Sequence, residues 1–390
     1  MIPILYDTNE TAFVSNGLAR LRDCISCVVT EERNSGIYEC DFEYPVTGAN
    51  YELIQVGRII GATHDDYPVT KDRTVVEPLN DEQLDIIEDE NGTAITGERQ
   101  STYEERDVQP FDIVSFSRPI NGVVTFHAVH ISYRQSYLTT NGSEINSLAD
   151  AFDMIKTSTP SNPFTYWTNK TSTGYLGSAD GVPKTVRSFL GGVEGSILDA
   201  YGGEYEWDKF TVRLWNARGQ DRDFSIRYGV NMLNYEEDFD ISETYSSCIP
   251  YWKDDTTIVI GDKQNANGLT LTGRKECVPL DLTDKFESQP TKAQVEAKAA
   301  SIMASTNPFL PKQTIHVEFV RLQDSPEYAE YEGLLNCRLC DSINVIFPYY
   351  NTSARFKIVK TVWNVLENRF ESMELGDLST TLAEALGITK

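Results

Sequence analysis

The chain has 390 residues, of which 40% are apolar and 11% are aromatic, so it can bury several hydrophobic cores and is expected to form two to four domains. This composition excludes a disordered protein. The formal net charge of −25 argues strongly against nucleic-acid binding, because such an acidic surface repels phosphate backbones and anionic membranes.

Period-two alternation of apolar and polar residues predicts strands in the first half of the chain. Ile25, Cys27 and Val29 alternate with polar or smaller residues, and aromatic residues or cysteine occupy every second position of 38–44. The intervening residues 31–36 end in Asn-Ser-Gly, which suits a turn. Together these runs predict a long antiparallel hairpin.

A second hairpin is predicted from Phe111 to Arg134, with a turn at residues 119–122. The returning strand places four residues on one face: Val124, Phe126, Ala128 and His130. Residues 64–109, which lie between the two predicted hairpins, are polar, acidic and rich in turn formers. We therefore expect them to form a loop or small excursion that projects from the body of the domain.

From Ser147 the apolar period changes to that of a helix. Ser147 is the expected N-cap, and a second helical segment over residues 186–198 is interrupted by Gly191-Gly192. Gly202 and Gly203 are expected to end it, because glycine takes positive φ without a Cβ penalty. A strand hairpin over Tyr205 to Leu214 should follow, and then a tight hairpin turn at 217–220, for which Arg218-Gly219 is suited.

The last third repeats this plan. Strands are predicted near 256–260 and 269–273, a helix from about Thr291 to Ala304, and further strands to Leu375. Pro290 precedes the helix, and its apolar stripe consists of Val295, Ala299 and Ile302. The pattern thus predicts two β-rich units, each interrupted by a segment that contains helix.

Several stretches resemble, in order, the prophage tail or tail endopeptidase family, whose members are also described as phage minor structural proteins. They are residues 56–60 (VGRII), 126–133 (FHAVHISY), 190–199 (LGGVEGSILD), 202–208 (GGEYEWD), 218–219 (RG), 226–232 (IRYGVNM) and 369–376 (RFESMELG). Within them we single out thirteen signature residues: His130, Tyr133, Gly191, Gly192, Gly195, Gly202, Gly203, Glu204, Gly219, Tyr228, Gly229, Asn231 and Gly376.

The resemblance implies a β-dominated α+β fold of the baseplate-hub type, with two tube-like β-barrels. The first barrel would comprise residues 1–135 and 201–232, with an α/β domain inserted at 136–200. The second would comprise 233–290 and 336–378, with a small helix-containing domain at 291–335 and a tail at 379–390. The segment from Asp65 to Val108 is longer and more acidic than the family's usual connection, so the resemblance does not define its structure.

The resemblance also implies a function. The chain would be a structural protein of the virion tail tip, made in the bacterial host cytoplasm, and a homotrimer whose six barrels form a pseudo-sixfold ring. Its partners would be the distal tail, tail tube and tape-measure proteins and the receptor-binding or tip proteins. DNA would pass through the ring without binding if part of the acidic excess faces the channel.

The alternative function is a tail-associated cell-wall hydrolase, since the family name includes endopeptidase. The chain has four histidines, His64, His127, His130 and His316, and contains neither His-Glu-x-x-His nor Gly-x-Ser-x-Gly. His127 and His130 should point to opposite faces of their strand, which disfavours shared metal ligation. In the wider family, lytic activity belongs to modules beyond this region. We therefore expect no catalytic residues in this chain.

Four further patterns have both a functional and a structural interpretation. Cys24 and Cys27 with Cys337 and Cys340 match paired zinc ligands, although small buried residues are the more frequent explanation. Seven cysteines, an odd number, favour reduced thiols over a disulfide framework. Neither zinc nor any other metal or cofactor is expected.

Glu204, Glu206 and Asp208 alternate along a strand like the carboxylates of a glycosidase, but a solvated strand face is the more common reason. Asp89, Asn91, Gly92, Thr93 and Glu98 partly match a calcium loop, which Ile87 breaks at its first position. The glycines 191, 192 and 195, followed by Ser196, lack the lysine of a phosphate loop. The chain contains no apolar run of about 20 residues and no signal-peptide pattern, so no membrane anchor is expected.

Overall fold

The computed structural model describes residues 1–13, 16–33, 35–78, 96–140, 147–159, 161–171, 183–192, 196–266, 276–286, 288–305, 307–319, 337–350 and 352–376. The strand predicted at 269–273, most of the calcium-loop pattern, Gly195 and the tail at 379–390 lie outside these residues. In the part of the chain that is described, strands dominate and helices are few, which confirms the β-dominated α+β class.

The elements of the first half are β1 (Ile4–Tyr6), β2 (Ala19–Arg20), β3 (Ser26–Glu32), β4 (Tyr38–Pro45), β5 (Ile59–Pro78), β6 (Thr96–Ser117), β7 (Val123–His130), α1 (Leu148–Ser158), β8 (Thr165–Thr168), α2 (Val186–Leu190), α3 (Ile197–Tyr201), β9 (Glu204–Asp208) and β10 (Thr211–Trp215). Those of the second half are β11 (Asp221–Arg227), β12 (Met232–Asp240), β13 (Ser247–Lys253), β14 (Ile258–Ile260), β15 (Gln264–Asn265), β16 (Val278–Asp281), α4 (Lys292–Ser305), β17 (Lys312–Phe319), β18 (Ser342–Phe347), β19 (Thr352–Asn364) and β20 (Arg369–Gly376).

One 13-stranded sheet joins the two halves of the chain. Its order is β12-β17-β20-β19-β3-β4-β7-β6-β5-β1-β2, and β18 joins β11 to β19. The junction is the antiparallel pairing of β19 with β3, where Trp363 lies opposite Val29. Within the described ranges this path is open at β12 and β2 and closes no barrel. The division into two barrels with two inserted domains stays a prediction.

The two predicted hairpins of the first half are confirmed. β3 pairs with β4 and β6 with β7, and alternate residues of β4 and β7 are buried. The rings of Phe42 and Phe126 stack with centroids 4.8 Å apart across the β4–β7 pair. Ile25 lies just before β3 and is 53% exposed, so it does not join the buried face of the strand. These strands provide most of the first-half residues of the main core.

Of the two alternatives predicted for residues 64–109, the loop is wrong for most of its length, and the projecting excursion stays a prediction. β5 and β6 form a long antiparallel ribbon that runs from the Ile59–Asp112 pair to the Pro78–Thr96 pair, with a register shift between Thr63 and Pro68. The sequence between Pro68 and Val76 is rich in β-branched residues, which favour extended strands even without an apolar face. Only residues 79–95 of this segment lie outside the described part.

A second, three-stranded sheet has the order β8-β10-β9 and packs with α1, α2 and α3 around a core of its own. Ser147 caps α1 as predicted, since its side chain accepts a hydrogen bond from the backbone N–H of Asp150. Strand β10 pairs with both β8 and β9 in this sheet, whereas β11 pairs with β18 in the large sheet.

In a third sheet the central strand β13 pairs with β14, β15 and β16. This sheet packs against α4. Helix α4 begins and ends within one residue of the prediction, and Val295 and Ala299 are fully buried. Thr291 and Gln294 cap the helix reciprocally: Gln294 Oε1 accepts from the Thr291 N–H at 2.8 Å, and Thr291 Oγ1 accepts from the Gln294 N–H at 3.3 Å. The predicted strand near 256–260 is present as β14.

Candidate functional site

Five of the signature residues line one cleft between the large sheet and the three-stranded sheet. The cleft has a volume of about 970 Å³. Gly191, Gly192, Gly203, Glu204 and Gly376 line it, although they come from three separate stretches of the chain. We name this space the junction cleft. It is the place where the chain's two halves and its α/β segment meet.

Glu204 is the centre of an ion-pair cluster in the wall of the junction cleft. Its carboxylate accepts hydrogen bonds from Arg33 Nη1 at 3.1 Å, from Lys357 Nζ at 2.5 Å and from the backbone N–H of Arg218 at 2.6 Å. The Glu204 side chain is only 13% exposed. A largely buried carboxylate with two cations is costly to disrupt, because the remaining charges lose their partner. This carboxylate therefore ties β9 to β19 and to the end of β3.

Arg218 forms a second bridge to the large sheet. Its guanidinium donates to Glu31 Oε1 at 3.1 Å and to the carbonyl of Tyr205 at 2.9 Å. Burial disfavours the charged guanidinium, but the nearby Glu31 carboxylate outweighs it and raises the pKa of Arg218. The charged pair joins the connection after β10 to β3.

Gly219 permits a very close approach of two backbones. Its φ is +90°, and a Cβ at this position would lie 2.0 Å from the carbonyl oxygen of Cys340. The predicted tight hairpin turn at Arg218-Gly219 is wrong, because β10 and β11 are not paired: β10 pairs with β8 and β9, and β11 pairs with β18. Gly219 instead lets the chain cross from the small sheet to the large one. The glycine is required, but for a different reason from the one expected.

Arg187 of α2 fastens the small sheet to the first hairpin. Its guanidinium lies 3.9 Å from the ring centroid of Tyr133 and 5.3 Å from that of Trp207, and it donates to the carbonyl of Gly36 at 2.8 Å. The Tyr133 hydroxyl donates to Glu39 Oε1 at 3.2 Å. Tyr133 thus acts as a structural connector.

His130 is fully buried and stacks on Tyr38, with ring centroids 4.4 Å apart. Its Nδ1 accepts from the backbone N–H of Ser132, and its Nε2 lies 3.3 Å from Gln109 Oε1. Burial lowers the pKa of His130 well below its ordinary value, so the ring is neutral. His127, three residues earlier, faces the other side and pairs with Asp41, which confirms that the two histidines lie on opposite faces.

The remaining signature residues hold turns. Gly202 and Gly203 have φ of +62° and +110° and separate α3 from β9 as predicted. Asn231 Oδ1 accepts from the Arg227 N–H at 2.7 Å, and its Nδ2 donates to the carbonyl of Ser225, which fixes the turn between β11 and β12. Gly229, with φ of +78°, lies in this turn beside Tyr228. A domain boundary at this turn stays a prediction.

The expectation that Glu204, Glu206 and Asp208 form a solvated face is wrong. Their side chains are 13%, 24% and 29% exposed, and each pairs with a cation. Arg213 contacts both Glu206 and Asp208, and Lys209 Nζ lies 3.1 Å from Asp208. Burial opposes ionisation of Asp208, yet Lys209 and neighbouring donors hold its pKa below the ordinary value. Carboxylates fixed in this way are suited to holding sheets together.

The two cysteine pairs have the character of buried thiols. Burial raises the pKa of Cys337 to about 12 and that of Cys340 to about 11, so neither is a thiolate at neutral pH. Cys27 Sγ lies 3.7 Å from Cys40 Sγ, a residue outside the proposed zinc pattern. Among the described residues, no group of three or more His, Cys, Asp or Glu side chains is arranged to hold a metal ion. No described helix is long and apolar enough to cross a membrane.

The sequence did not identify Arg33, Glu31, Arg187 or Lys357 as part of the site. Each of them makes a hydrogen bond to a residue between 151 and 187 positions away along the chain, and no local pattern brings such residues together. The one available signal was the GGEYEWD stretch, which does contain the central carboxylate.

The geometry defines a β-rich protein in which glycines and ion pairs join the large sheet to the three-stranded sheet, and solved structures have a similar fold. The prophage tail protein gp18 from Listeria monocytogenes EGD-e has a TM-score of 0.55 at 13% identity, covering 99% of this chain and 98% of that chain. The tail protein from Neisseria meningitidis MC58 has a TM-score of 0.58 at 11% identity, covering 96% of both chains.

A third similar structure is the 43 kDa tail protein of prophage MuSo2 from Shewanella oneidensis, with a TM-score of 0.51 at 10% identity, covering 90% of this chain and 92% of that chain. No family model matches the chain, and no curated protein matches it. At these identities the likeness shows the fold alone. The chain therefore has the fold of phage tail proteins over nearly its whole length.

Proposed function

We propose that the protein is a structural component of a phage tail, placed at the tail tip as a hub. The observation that carries this proposal is the end-to-end likeness to a prophage tail protein, with 99% and 98% of the two chains covered. The salt-bridged carboxylates around Glu204 support a structural role over the hydrolase alternative.

In the proposed assembly three copies form a ring in which each contributes two tube-like β-rich units, so that a threefold tip matches a sixfold tube. The distal tail, tail tube and tape-measure proteins would contact this ring, and the receptor-binding or tip proteins would attach to it. Self-association in a closed ring follows the usual preference of homo-oligomers for cyclic symmetry.

The acidic balance supports passage of DNA without binding. The chain has 59 acidic and 34 basic residues, and Glu236 and Asp238 on β12 are exposed. A channel lined by such carboxylates repels a phosphate backbone at short range. Reversal of channel-facing acids to lysine is expected to slow DNA ejection, and unchanged ejection kinetics would contradict this part of the proposal.

The experiment that tests the virion role is gold labelling of purified tails with an antibody against this chain, viewed by electron microscopy. We expect label at the end of the tail farthest from the capsid. Label spread along the tube would assign the protein to the tube wall instead. Absence of label, with the antibody shown to bind denatured tail protein from the same preparation, would place the chain in an internal position and contradict an exposed tip location.

A further inference from the structure

The outer face of the three-stranded sheet carries a second group of polar and aromatic side chains. On β10, Val212 and Leu214 are fully buried against the helices α1, α2 and α3. The residues of β10 that alternate with them therefore lie on the opposite, outer face of the sheet. Strands β8 and β9 each place one residue directly beside Arg213 on that face. We name the resulting group the outer platform; its members are Trp167, Glu206, Arg213 and Trp215.

The two tryptophans of the outer platform form one aromatic surface at an edge of the sheet. Their ring centroids are 4.7 Å apart, and the angle between the rings is 62°. Trp167 is 42% exposed and lies on β8, which in the described part of the chain pairs only with β10. At the other edge of the sheet, β9 contacts the large sheet, where Asp208 Oδ1 accepts a hydrogen bond from Gln109 Nε2 at 3.2 Å. The aromatic surface thus lies at the strand farthest from this contact.

The polar groups of the outer platform are fixed beside these rings. The Trp215 indole N–H donates to Glu206 Oε2 at 2.6 Å, and Arg213 Nη1 lies 3.4 Å from Glu206 Oε1. The side chains of Arg213 and Glu206 are 29% and 24% exposed, so solvent reaches both groups. A guanidinium has several N–H donors and a carboxylate has several lone pairs, so each keeps capacity for a ligand. Because they hold each other in place, they lose little conformational freedom when a ligand binds.

The outer platform is locally neutral, although the whole chain has a formal net charge of −25. Arg213 Nη2 lies 3.0 Å from Asp208 Oδ2, and Lys209 Nζ lies 3.1 Å from Asp208 Oδ1. Together with Glu206 the group therefore contains two cations and two carboxylates. An anion gains little from cations that are already paired, and a cation gains little from paired carboxylates. This balance favours an uncharged, polar ligand.

A saccharide ring matches this arrangement. One face of a pyranose consists of C–H groups that pack on an indole ring, and its hydroxyl groups lie around the rim, where a carboxylate accepts and a guanidinium donates. We propose that the outer platform binds a neutral oligosaccharide: Trp167 stacks against one sugar ring, and Arg213 and Glu206 hydrogen-bond its hydroxyl groups. In a tail protein this site would supply a contact with surface polysaccharide of the host, but the binding itself does not depend on the tail-tip role.

The test is isothermal titration calorimetry of the full chain with neutral hexasaccharides of glucose, of mannose and of N-acetylglucosamine, and with the charged hexasaccharide of hyaluronan. We expect at least one neutral hexasaccharide to bind with a Kd of about 0.1–1 mM. Trp167→Ala should weaken this binding at least about tenfold, whereas Trp167→Tyr, which keeps an aromatic ring, should weaken it less. Tyr349→Ala is the control, because it removes an aromatic ring that is 73% exposed outside the outer platform, and it should keep the wild-type affinity.

The same titrations give the outcomes that would overturn the proposal. One is the lack of binding by every neutral hexasaccharide. Another is wild-type affinity in Trp167→Ala, with the fold of the variant shown to be intact by circular dichroism. Hyaluronan that binds as tightly as the best neutral hexasaccharide would overturn the assignment of an uncharged ligand.

A second measurement needs no variant for its main result. Hydroxyl-radical footprinting of the wild type, read by mass spectrometry, reports side-chain exposure with and without the best-binding hexasaccharide. We expect oxidation of Trp167 to be lost progressively as the site fills, while that of Tyr349 stays constant. Unchanged oxidation of Trp167 at saturation would overturn the placement of the sugar. Protection of Trp167 that instead rises with protein concentration in the absence of sugar, with self-association lost in Trp167→Ala, would assign this face to a contact between copies and overturn the saccharide site.

Discussion

The close approach at Gly219 allows a sharp test, because Gly57 has the same backbone conformation in an open place. Both residues have φ of +90°. A Cβ at Gly57 would meet nothing within 4 Å, whereas a Cβ at Gly219 would lie 2.0 Å from the carbonyl oxygen of Cys340 and 2.7 Å from the backbone N of Asp341. The pair of alanine variants thus separates the effect of the clash from that of the dihedral angle.

The expected magnitudes follow from this geometry. Alanine at positive φ costs about 1–2 kcal/mol, and both variants share this loss. Gly219→Ala must also move a backbone that is fixed on both sides: the Cys340 N–H donates to the Ile358 carbonyl at 2.8 Å, and the Asp341 carboxylate accepts from the Gln220 N–H at 2.7 Å. We expect a total loss of about 4 kcal/mol or more for Gly219→Ala, which is in the range of the most severe single substitutions.

Urea unfolding followed by far-UV circular dichroism gives the free energy of unfolding of both variants and the wild type. The account predicts that Gly219→Ala is less stable than Gly57→Ala by at least about 2 kcal/mol. If the two variants agree within about 0.5 kcal/mol, the backbone contact between residues 219 and 340 is not the constraint described above.

Two further outcomes are expected. Glu204→Gln keeps the shape of the side chain but leaves Arg33 and Lys357 without their carboxylate, so it should lower the free energy of unfolding by about 2–4 kcal/mol. The exposed control Glu243→Gln should change it by less than about 0.5 kcal/mol, and equal effects would refute the cluster's role. Because the pKa of His130 is lowered by burial, its contribution to stability is present above the unfolded value of 6.5 and is lost as the pH falls below it. Between about pH 6.5 and 5 the free energy of unfolding of the wild type should fall by up to about 1.4 kcal/mol per pH unit. His130→Phe should remove this slope, and the control His127→Phe should retain it. An unchanged slope in His130→Phe would contradict the assignment.

Much of the fold was predictable because its signals are local. Alternation marked β3, β4 and β7, Ser147 marked the start of α1, and Pro290 with the spacing of Val295 and Ala299 marked α4. Each of these depends on neighbours within a few residues, for which periodicity and capping rules apply directly.

The failures have physical causes. The sequence of the β5–β6 ribbon does not alternate between apolar and polar residues, so its composition suggested a loop. In the structure the backbones of the two strands pair along this segment. The turn at Gly219 was expected to be a hairpin because nothing local distinguishes a two-strand turn from a crossover between sheets. The cluster around Glu204 joins residues more than 150 positions apart, which no pattern in a single sequence reveals.

The tail-tip hub is tested most directly by a cryo-electron microscopy reconstruction of the tail end of a phage that encodes this chain. The account predicts three copies around the tail axis, with the large sheets of the three copies arranged so that six similar β-rich units face the tube. A reconstruction in which this chain occupies six or more symmetric positions along the tube, or in which three copies cannot be placed at the tip, would contradict it.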